Sequence, residues 1–126
     1  MSQDTRDVIQ VLRYELNFLE QGGYERAVKA GVASSPFRST YTCLNFGDPL
    51  RPHACHECLL YDFVPARHRT EDVPCHHIPL NGGETVAGLL KTGDKKRLIV
   101  ALGHWLRVTI ARLEAQREAN PVSQPR

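Results

Sequence analysis

The fold of this chain is decided by residues 43–75, CLNFGDPLRPHACHECLLYDFVPARHRTEDVPC, which also carry its candidate chemistry. All four cysteines lie in this stretch, with the spacing Cys43-x11-Cys55-x2-Cys58-x16-Cys75. A Cys-x-x-Cys knuckle directs two thiolates at one point, and two further thiolates complete a tetrahedron around a metal. The pattern predicts a four-cysteine metal site that holds a loop-rich segment together.

Two cofactors suit four thiolates at this spacing. Structural Zn²⁺ is often bound by four cysteines that include such a knuckle. A [4Fe–4S] or [2Fe–2S] cluster also accepts four cysteines at irregular spacing, and would serve electron transfer or redox sensing. Both sites carry a formal charge of about −2, so charge does not separate them. We favour zinc, with the iron–sulfur cluster as the alternative.

Three histidines lie beside the cysteines. His56 is inside the knuckle, and His76 and His77 follow Cys75. One of them would replace a cysteine that does not bind the metal, and otherwise we expect them to donate hydrogen bonds around the site. Without a metal, the four cysteines would be buried and unreactive thiols, but clustering in a loop-rich segment disfavours that interpretation.

An enzymatic role is not expected. Four thiolates on zinc leave no open position for a water molecule. The zinc deaminase signature needs His-x-Glu ahead of its Cys-x-x-Cys, whereas His56 and Glu57 are adjacent within the knuckle. Nucleotide-binding glycine motifs are also absent from the sequence.

The region from 24 to 92 is predicted to be irregular. Six of the eight prolines lie between residues 36 and 79, which excludes long helices there. Residues 40–46 are rich in β-formers and predict a short strand. Asn81-Gly82 between apolar segments predicts a hairpin over 77–89, and a short helix over 84–91 is the competing interpretation.

Amphipathic helices are predicted on both sides of this region. The first spans 4–21, with Asp4 or Thr5 as its N-cap and Gly22-Gly23 at its end. Its charged residues, Glu15 among them, are assigned mostly to the face opposite the apolar stripe. The second spans 94–119, with Thr92-Gly93-Asp94 offering its N-cap. Asn120-Pro121 ends this helix, and residues 120–126 are predicted to form a flexible tail.

These segments together predict a single α+β domain over 1–126. The chain has 126 residues, of which 41% are hydrophobic and 24% charged, as in ordinary globular proteins. The most favoured function is a small metal-binding module that acts as an accessory or adaptor protein.

Partners and location are predicted from charge and targeting signals. The net charge of +2 is too small to argue for nucleic acid, although a basic helix at 94–119 keeps a zinc-containing nucleic-acid regulator as a less favoured alternative. The helices are expected to pack on each other, or on a protein partner or a second copy. No secretory signal or membrane-spanning run is found, so we expect a cytoplasmic protein with reduced thiols.

Overall fold

The structure is a computed structural model that describes residues 4–31 and 35–119. It contains four α-helices, which are α1 (Val8–Glu20), α2 (Gly23–Lys29), α3 (Val86–Thr92) and α4 (Lys95–Ala119). Between α2 and α3 lie four short 3-10 helices, at Cys55–Glu57, Leu59–Phe63, Ala66–His68 and Pro74–His77. The predicted tail at 120–126 is outside the described residues.

The predicted α+β class is wrong, because residues 4–31 and 35–119 contain helices and turns but no strand. Where a strand was predicted at 40–46, the backbone N–H of Cys43 donates to Thr40 and that of Phe46 donates to Cys43. These are local turns. A strand also needs a neighbour, and side chains from the N-terminal segment occupy the polar groups of this stretch instead. Arg6, for example, donates to the carbonyls of Tyr41 and Thr42.

The predicted hairpin over 77–89 is also wrong. Its turn exists, since Leu80 donates its N–H to the Glu84 carbonyl at 2.7 Å, but no ladder follows. The Thr85 hydroxyl instead accepts the N–H of Gly88 and caps α3. A cap of this kind satisfies a donor that the first turn of a helix leaves free. The competing prediction of a helix over 84–91 is therefore the correct one in type, and the helix observed there is α3, Val86–Thr92.

Helices α1 and α4 lie antiparallel, and their apolar stripes pack against each other within one molecule. Three ion pairs mark the alignment, Glu20 with Arg107, Arg13 with Glu114, and Asp7 with Arg117. The shared core includes Leu12 and Leu106, both fully buried. The predicted cap of α4 is confirmed, because Asp94 accepts the backbone N–H of Arg97 at 3.0 Å.

Helix α1 begins later than predicted. Its N-cap is Asp7, and the predicted caps Asp4 and Thr5 precede it. At its other end Gly22 adopts a left-handed φ of 80°, as the Gly-Gly pair predicts, and donates to the Leu19 carbonyl. The chain then enters α2 directly.

Trp105 on α4 connects the helices to the cysteine-bearing stretch. Its ring makes edge contacts with Phe63 at a centroid distance of 5.6 Å and with Phe37 at 6.1 Å. Leu60 and Ile78 are buried in the same core. The segment that carries the cysteines is therefore packed on the α1–α4 pair. No helix in the described part of the chain has the length and hydropathy to cross a bilayer.

Candidate functional site

All four cysteines line one cavity of about 40 Å³, which we call the cysteine cavity. Cys55 is exposed, and the other three cysteines are half-buried. The remaining lining is mostly apolar and includes Phe37, Leu44, Leu60, Val73 and Pro74, together with Arg38, Asn45 and Arg51. The fold thus directs thiols that are up to 32 positions apart in sequence toward one space.

The four sulfur atoms are not packed around a single point. Within 4–31 and 35–119, the only group with three ligand atoms within 4.8 Å of one another is His68, Glu71 and His77. A zinc ion holds four sulfurs about 2.3 Å away, and therefore about 3.8 Å from one another. The thiols surround the cavity at a wider spacing than one ion imposes. Their predicted role as metal ligands stays a prediction.

The knuckle between Cys55 and Cys58 is a 3-10 turn. Cys58 donates its backbone N–H to the Cys55 carbonyl at 3.1 Å. Glu57 lies on the outer side, where it accepts from the Ala54 N–H and contacts His53 Nδ1 at 3.1 Å. Its hydrogen bond with His53 lowers the pKa of the Glu57 carboxyl. Glu57 closes the knuckle from outside and does not line the cavity.

The turn that carries Cys43 is anchored by the N-terminal segment. Arg6 donates to the carbonyls of Tyr41 and Thr42, at 2.8 and 2.9 Å. The Thr42 hydroxyl donates to Glu15 Oε1 on α1 at 2.6 Å. Cys43 therefore follows a residue that is fixed through both its backbone and its side chain.

Asp4 anchors the other side of the cavity. Its carboxylate pairs with the Arg6 guanidinium, with Nη2 to Oδ2 at 2.7 Å, and accepts the backbone N–H of Leu59 at 3.2 Å. Burial alone would raise the pKa of Asp4, but the hydrogen bonds from Arg6 bring it below its ordinary value. We call this pair the Asp4–Arg6 clamp, since it joins the residues that flank Cys43 and Cys58.

Asn45 joins the Cys43 turn to the knuckle. Its side chain donates to the His53 carbonyl at 2.8 Å and accepts the His53 N–H at 2.9 Å. The residue is buried and lines the cysteine cavity. This two-way hydrogen bond closes the loop between Cys43 and Cys55.

Two of the thiols, those of Cys58 and Cys75, lie in an environment that disfavours their ionised form. Burial raises the pKa of Cys75 to about 12, and the neighbouring thiols Cys58, Cys55 and Cys43 act in the same direction. Burial likewise raises the pKa of Cys58. The charge of Arg38 acts in the opposite direction on the pKa of Cys75, and the charge of Arg6 does so on that of Cys58. Arg51 Nη2 donates to Cys43 Sγ at 3.8 Å. A bound metal cation would compensate the thiolates far more strongly, so the donor set fits a metal or a cluster.

The three predicted alternate ligands point elsewhere. His56 is exposed and faces Tyr61, with centroids 6.4 Å apart. His76 is buried, with Nε2 donating to the Pro36 carbonyl at 2.8 Å, and burial lowers its pKa. His77 stacks on His68. None of the three lines the cysteine cavity, so a ligand role would require its side chain to change direction.

Sequence reasoning missed the residues that position the cysteines, namely Asp4, Arg6, Glu15 and Asn45. Glu15 was assigned mostly to the solvent face but is fully buried. Its spacing could have shown this, because it lies three residues after Leu12 and four before Leu19 on the apolar stripe. The Asp4–Arg6 clamp has no sequence signal, since its contacts span more than thirty residues.

Comparison with known proteins adds no relative: no family model matches the chain, and neither curated proteins nor solved structures gave a match.

Proposed function

We propose that this chain is a small metal-binding protein whose cysteine cavity holds an iron–sulfur cluster used for electron transfer or redox sensing. One observation carries the proposal. All four thiols line one cavity, yet no three sulfurs of this described region lie within 4.8 Å of one another. That arrangement leaves room between the thiols for more than a single ion.

A cluster accounts for this spacing because its thiolates bind different iron atoms around a core of sulfide and iron. Structural zinc, which would make the chain an accessory or adaptor module, is the second candidate. It is favoured by the proline-rich loops around the knuckle, and it requires the sulfurs to move closer together.

The surroundings of the cavity suit a buried anionic cofactor. Cys43, Cys55, Cys58 and Cys75 would hold the cluster, which supplies reversible one-electron exchange when bound. Arg51 and Arg38 line the cavity, and the charge of Arg6 acts on Cys58. These cations compensate negative charge at the thiolates, while Phe37 and Leu60 exclude water. The exposed Cys55 places one side of the site near solvent, where a redox partner can approach.

The predicted protein partner or homodimer and the predicted cytoplasmic location stay predictions. Reduced thiols in that compartment would favour cluster or metal binding over disulfides. A nucleic-acid partner has little support, because the basic residues of α4 include Arg107 and Arg117, which pair with Glu20 and Asp7.

The proposal is tested by anaerobic purification followed by iron, sulfide and zinc analysis and a visible spectrum. We expect about four or about two iron atoms per chain with matching sulfide, and a broad absorption band that bleaches on reduction. Each single Cys→Ser variant should lose most of the iron. Glu57→Gln is the matched control, because Glu57 lies in the knuckle but outside the cavity, and it should keep the iron.

Two results would contradict the iron–sulfur proposal. One zinc per chain and no colour would support the second candidate instead. Neither metal, or iron that survives Cys58→Ser and Cys75→Ser, would leave both candidates without support.

A further inference from the structure

A second group of ligating side chains lies outside the cysteine cavity. His68 ends the 3-10 helix Ala66–His68, His77 ends the 3-10 helix Pro74–His77, and Glu71 lies in the turn between them. Each offers one ligand atom, and the three atoms lie within 4.8 Å of one another. None of the three residues lines the cysteine cavity.

The Glu71 carboxylate contacts both imidazoles. Its Oε2 is 3.3 Å from His68 Nδ1, and its Oε1 is 4.0 Å from His77 Nε2. The two rings are stacked, with centroids 4.7 Å apart and planes inclined by 16°. The side chains are 23–45% exposed, so solvent and ions reach the group directly.

We propose that His68, Glu71 and His77 bind a divalent transition-metal ion of the zinc class at a site independent of the cysteines. Imidazole nitrogen together with carboxylate oxygen suits borderline ions such as Zn²⁺, whereas Mg²⁺ and Ca²⁺ prefer oxygen ligands alone. Two histidines and one glutamate are the protein ligands of open zinc sites, in which water or an anion takes the remaining position.

The stacked rings must rearrange when the ion binds. The lone pair of an imidazole nitrogen lies in the plane of its ring, so a bound ion must lie close to that plane. Because the two ring planes are nearly parallel and stacked, no single position near both nitrogens lies in both planes. One ring therefore rotates out of the stack to meet the ion. The partial exposure of both side chains, 30% for His68 and 23% for His77, makes that rotation inexpensive.

A bound ion would join both ends of the loop from His68 to His77. Glu71 and His68 come from its start, and His77 comes from its end, two residues after Cys75. The ion would restrain this loop while its open position stays accessible to solvent. The site would thus add to the chain an exposed metal that accepts an external ligand, which a four-thiolate site does not offer.

The test is a Co²⁺ titration of the full chain, because cobalt reports its ligands. Thiolate ligands give charge-transfer absorption in the near ultraviolet, and imidazole and carboxylate ligands do not. We expect one equivalent of Co²⁺ that binds without the thiolate band in the wild-type protein and in Cys58→Ser. His68→Ala, Glu71→Gln and His77→Ala should each weaken this equivalent more than about tenfold.

His104→Ala is the matched control, because His104 is an exposed histidine on α4. It should bind this equivalent as the wild type does. In a parallel Zn²⁺ titration followed by NMR, the ring protons of His68 and His77 should shift as the stack opens. The proposal is overturned if every bound Co²⁺ shows the thiolate band, or if His77→Ala binds as tightly as His104→Ala. Cys58→Ser removes a cysteine ligand and leaves His68, Glu71 and His77 intact. The histidine site is therefore measured independently of whether the cysteine cavity holds an iron–sulfur cluster.

Discussion

The carboxylate of Asp4 accepts the backbone N–H of Leu59 at 3.2 Å, although 55 residues separate the two in sequence. Leu59 directly follows Cys58, and the same carboxylate holds Arg6, which binds the carbonyls next to Cys43. A segment ahead of the first helix thus connects two of the candidate ligands. The Asp4 side chain is only 1% exposed and that of Arg6 is 21% exposed, so the connection is largely shielded from solvent.

Breaking the Asp4–Arg6 clamp should weaken folding and, with it, the loading of the proposed cluster. Asp4→Asn leaves the Arg6 guanidinium without its charged partner and loosens the residues beside Cys43 and Cys58. We expect a loss of about 2–3 kcal/mol in the free energy of unfolding, as for removal of one partner of a mostly buried pair. Urea unfolding and metal content per chain measure the two effects.

Arg13→Gln is the control for the clamp. Arg13 pairs with Glu114 at the surface, with 56% of its side chain exposed, so its loss should cost less than about 1 kcal/mol and leave the metal content unchanged. Equal effects of Asp4→Asn and Arg13→Gln would contradict a special role for the clamp.

Tyr24 should make the protein sensitive to alkali. Its hydroxyl donates to the buried Glu15 carboxylate, and burial together with the Glu15 charge raises the pKa of Tyr24 well above its ordinary value of 10.0. The folded protein therefore keeps a proton that the unfolded chain releases above about pH 10. The stabilisation is complete below that pH and is lost as the pH rises further.

The measurement is the unfolding free energy between pH 8 and about pH 11, for the wild type and for Tyr24→Phe and Tyr14→Phe. Tyr24→Phe should be less stable at neutral pH by about 1–3 kcal/mol, because Glu15 loses a donor, but should lose less on going to alkaline pH. Tyr14 is 52% exposed, and its variant should follow the wild type. Parallel pH profiles for all three proteins would refute the predicted linkage.

Gly23 is required by its contact with Phe18 rather than by its backbone conformation. A Cβ atom at residue 23 would lie 2.4 Å from Cζ of the Phe18 ring. That ring also makes an edge contact with Tyr24, at a centroid distance of 4.9 Å. Gly23→Ala should therefore destabilise the protein by about 1–3 kcal/mol despite the better helix propensity of alanine.

A double-mutant cycle with Phe18→Ala measures this contact. Once the ring is removed, Gly23→Ala should be neutral or stabilising, which gives a coupling energy of about 1 kcal/mol or more between the two sites. If the destabilisations of Gly23→Ala and Phe18→Ala simply add in the double variant, the contact with Phe18 is not what makes Gly23→Ala unfavourable.

Loss of the proposed cluster should destabilise the protein locally. Cys58→Ser, or removal of a bound metal or cluster by a chelator, would take away the proposed staple of residues 43–75. Cys58 and Cys75 are partly buried and pack against the hydrophobic core, whereas Leu12 and Leu106 are fully buried residues of α1 and α4. We expect most of the helical circular dichroism to remain, with faster amide hydrogen exchange at Cys58 and Tyr61, whose N–H groups bond within the knuckle region. A uniform loss of protection that includes α4 would contradict this separation.

The helices could be predicted because their information is local. Apolar residues at helical spacing identified α1 and α4, and Asp94 and Gly22 marked helix ends through side-chain and backbone preferences that act within a few residues. The error at the start of α1 has a long-range cause. Asp4 would be an adequate N-cap, but its carboxylate is bound to Arg6 and Leu59 instead.

The predicted strand and hairpin failed for a related reason. A β-propensity describes how a residue packs against a neighbouring strand, and the sequence does not state whether such a neighbour exists. At 40–46 the hydroxyls of Thr40 and Thr42 donate hydrogen bonds to the Glu15 carboxylate, and the carbonyl of Thr42 accepts one from Arg6. Arg6 thus occupies backbone acceptors, the carbonyls of Tyr41 and Thr42, that a sheet would have used, while Glu15 fixes the two threonine side chains.

By itself, the sequence determined the two flanking amphipathic helices and the cysteine spacing from which a metal site is predicted. The helices and the Cys55–Cys58 knuckle are properties of residues that are close along the chain, and the positions of Cys43 and Cys75 are read directly from the sequence. Tertiary structure alone decided that the four cysteines line one cavity, that their sulfurs stand wider than one ion requires, and that the nearby histidines face away. These features depend on contacts such as Asp4 with Leu59, whose free energy arises only when distant segments are packed together.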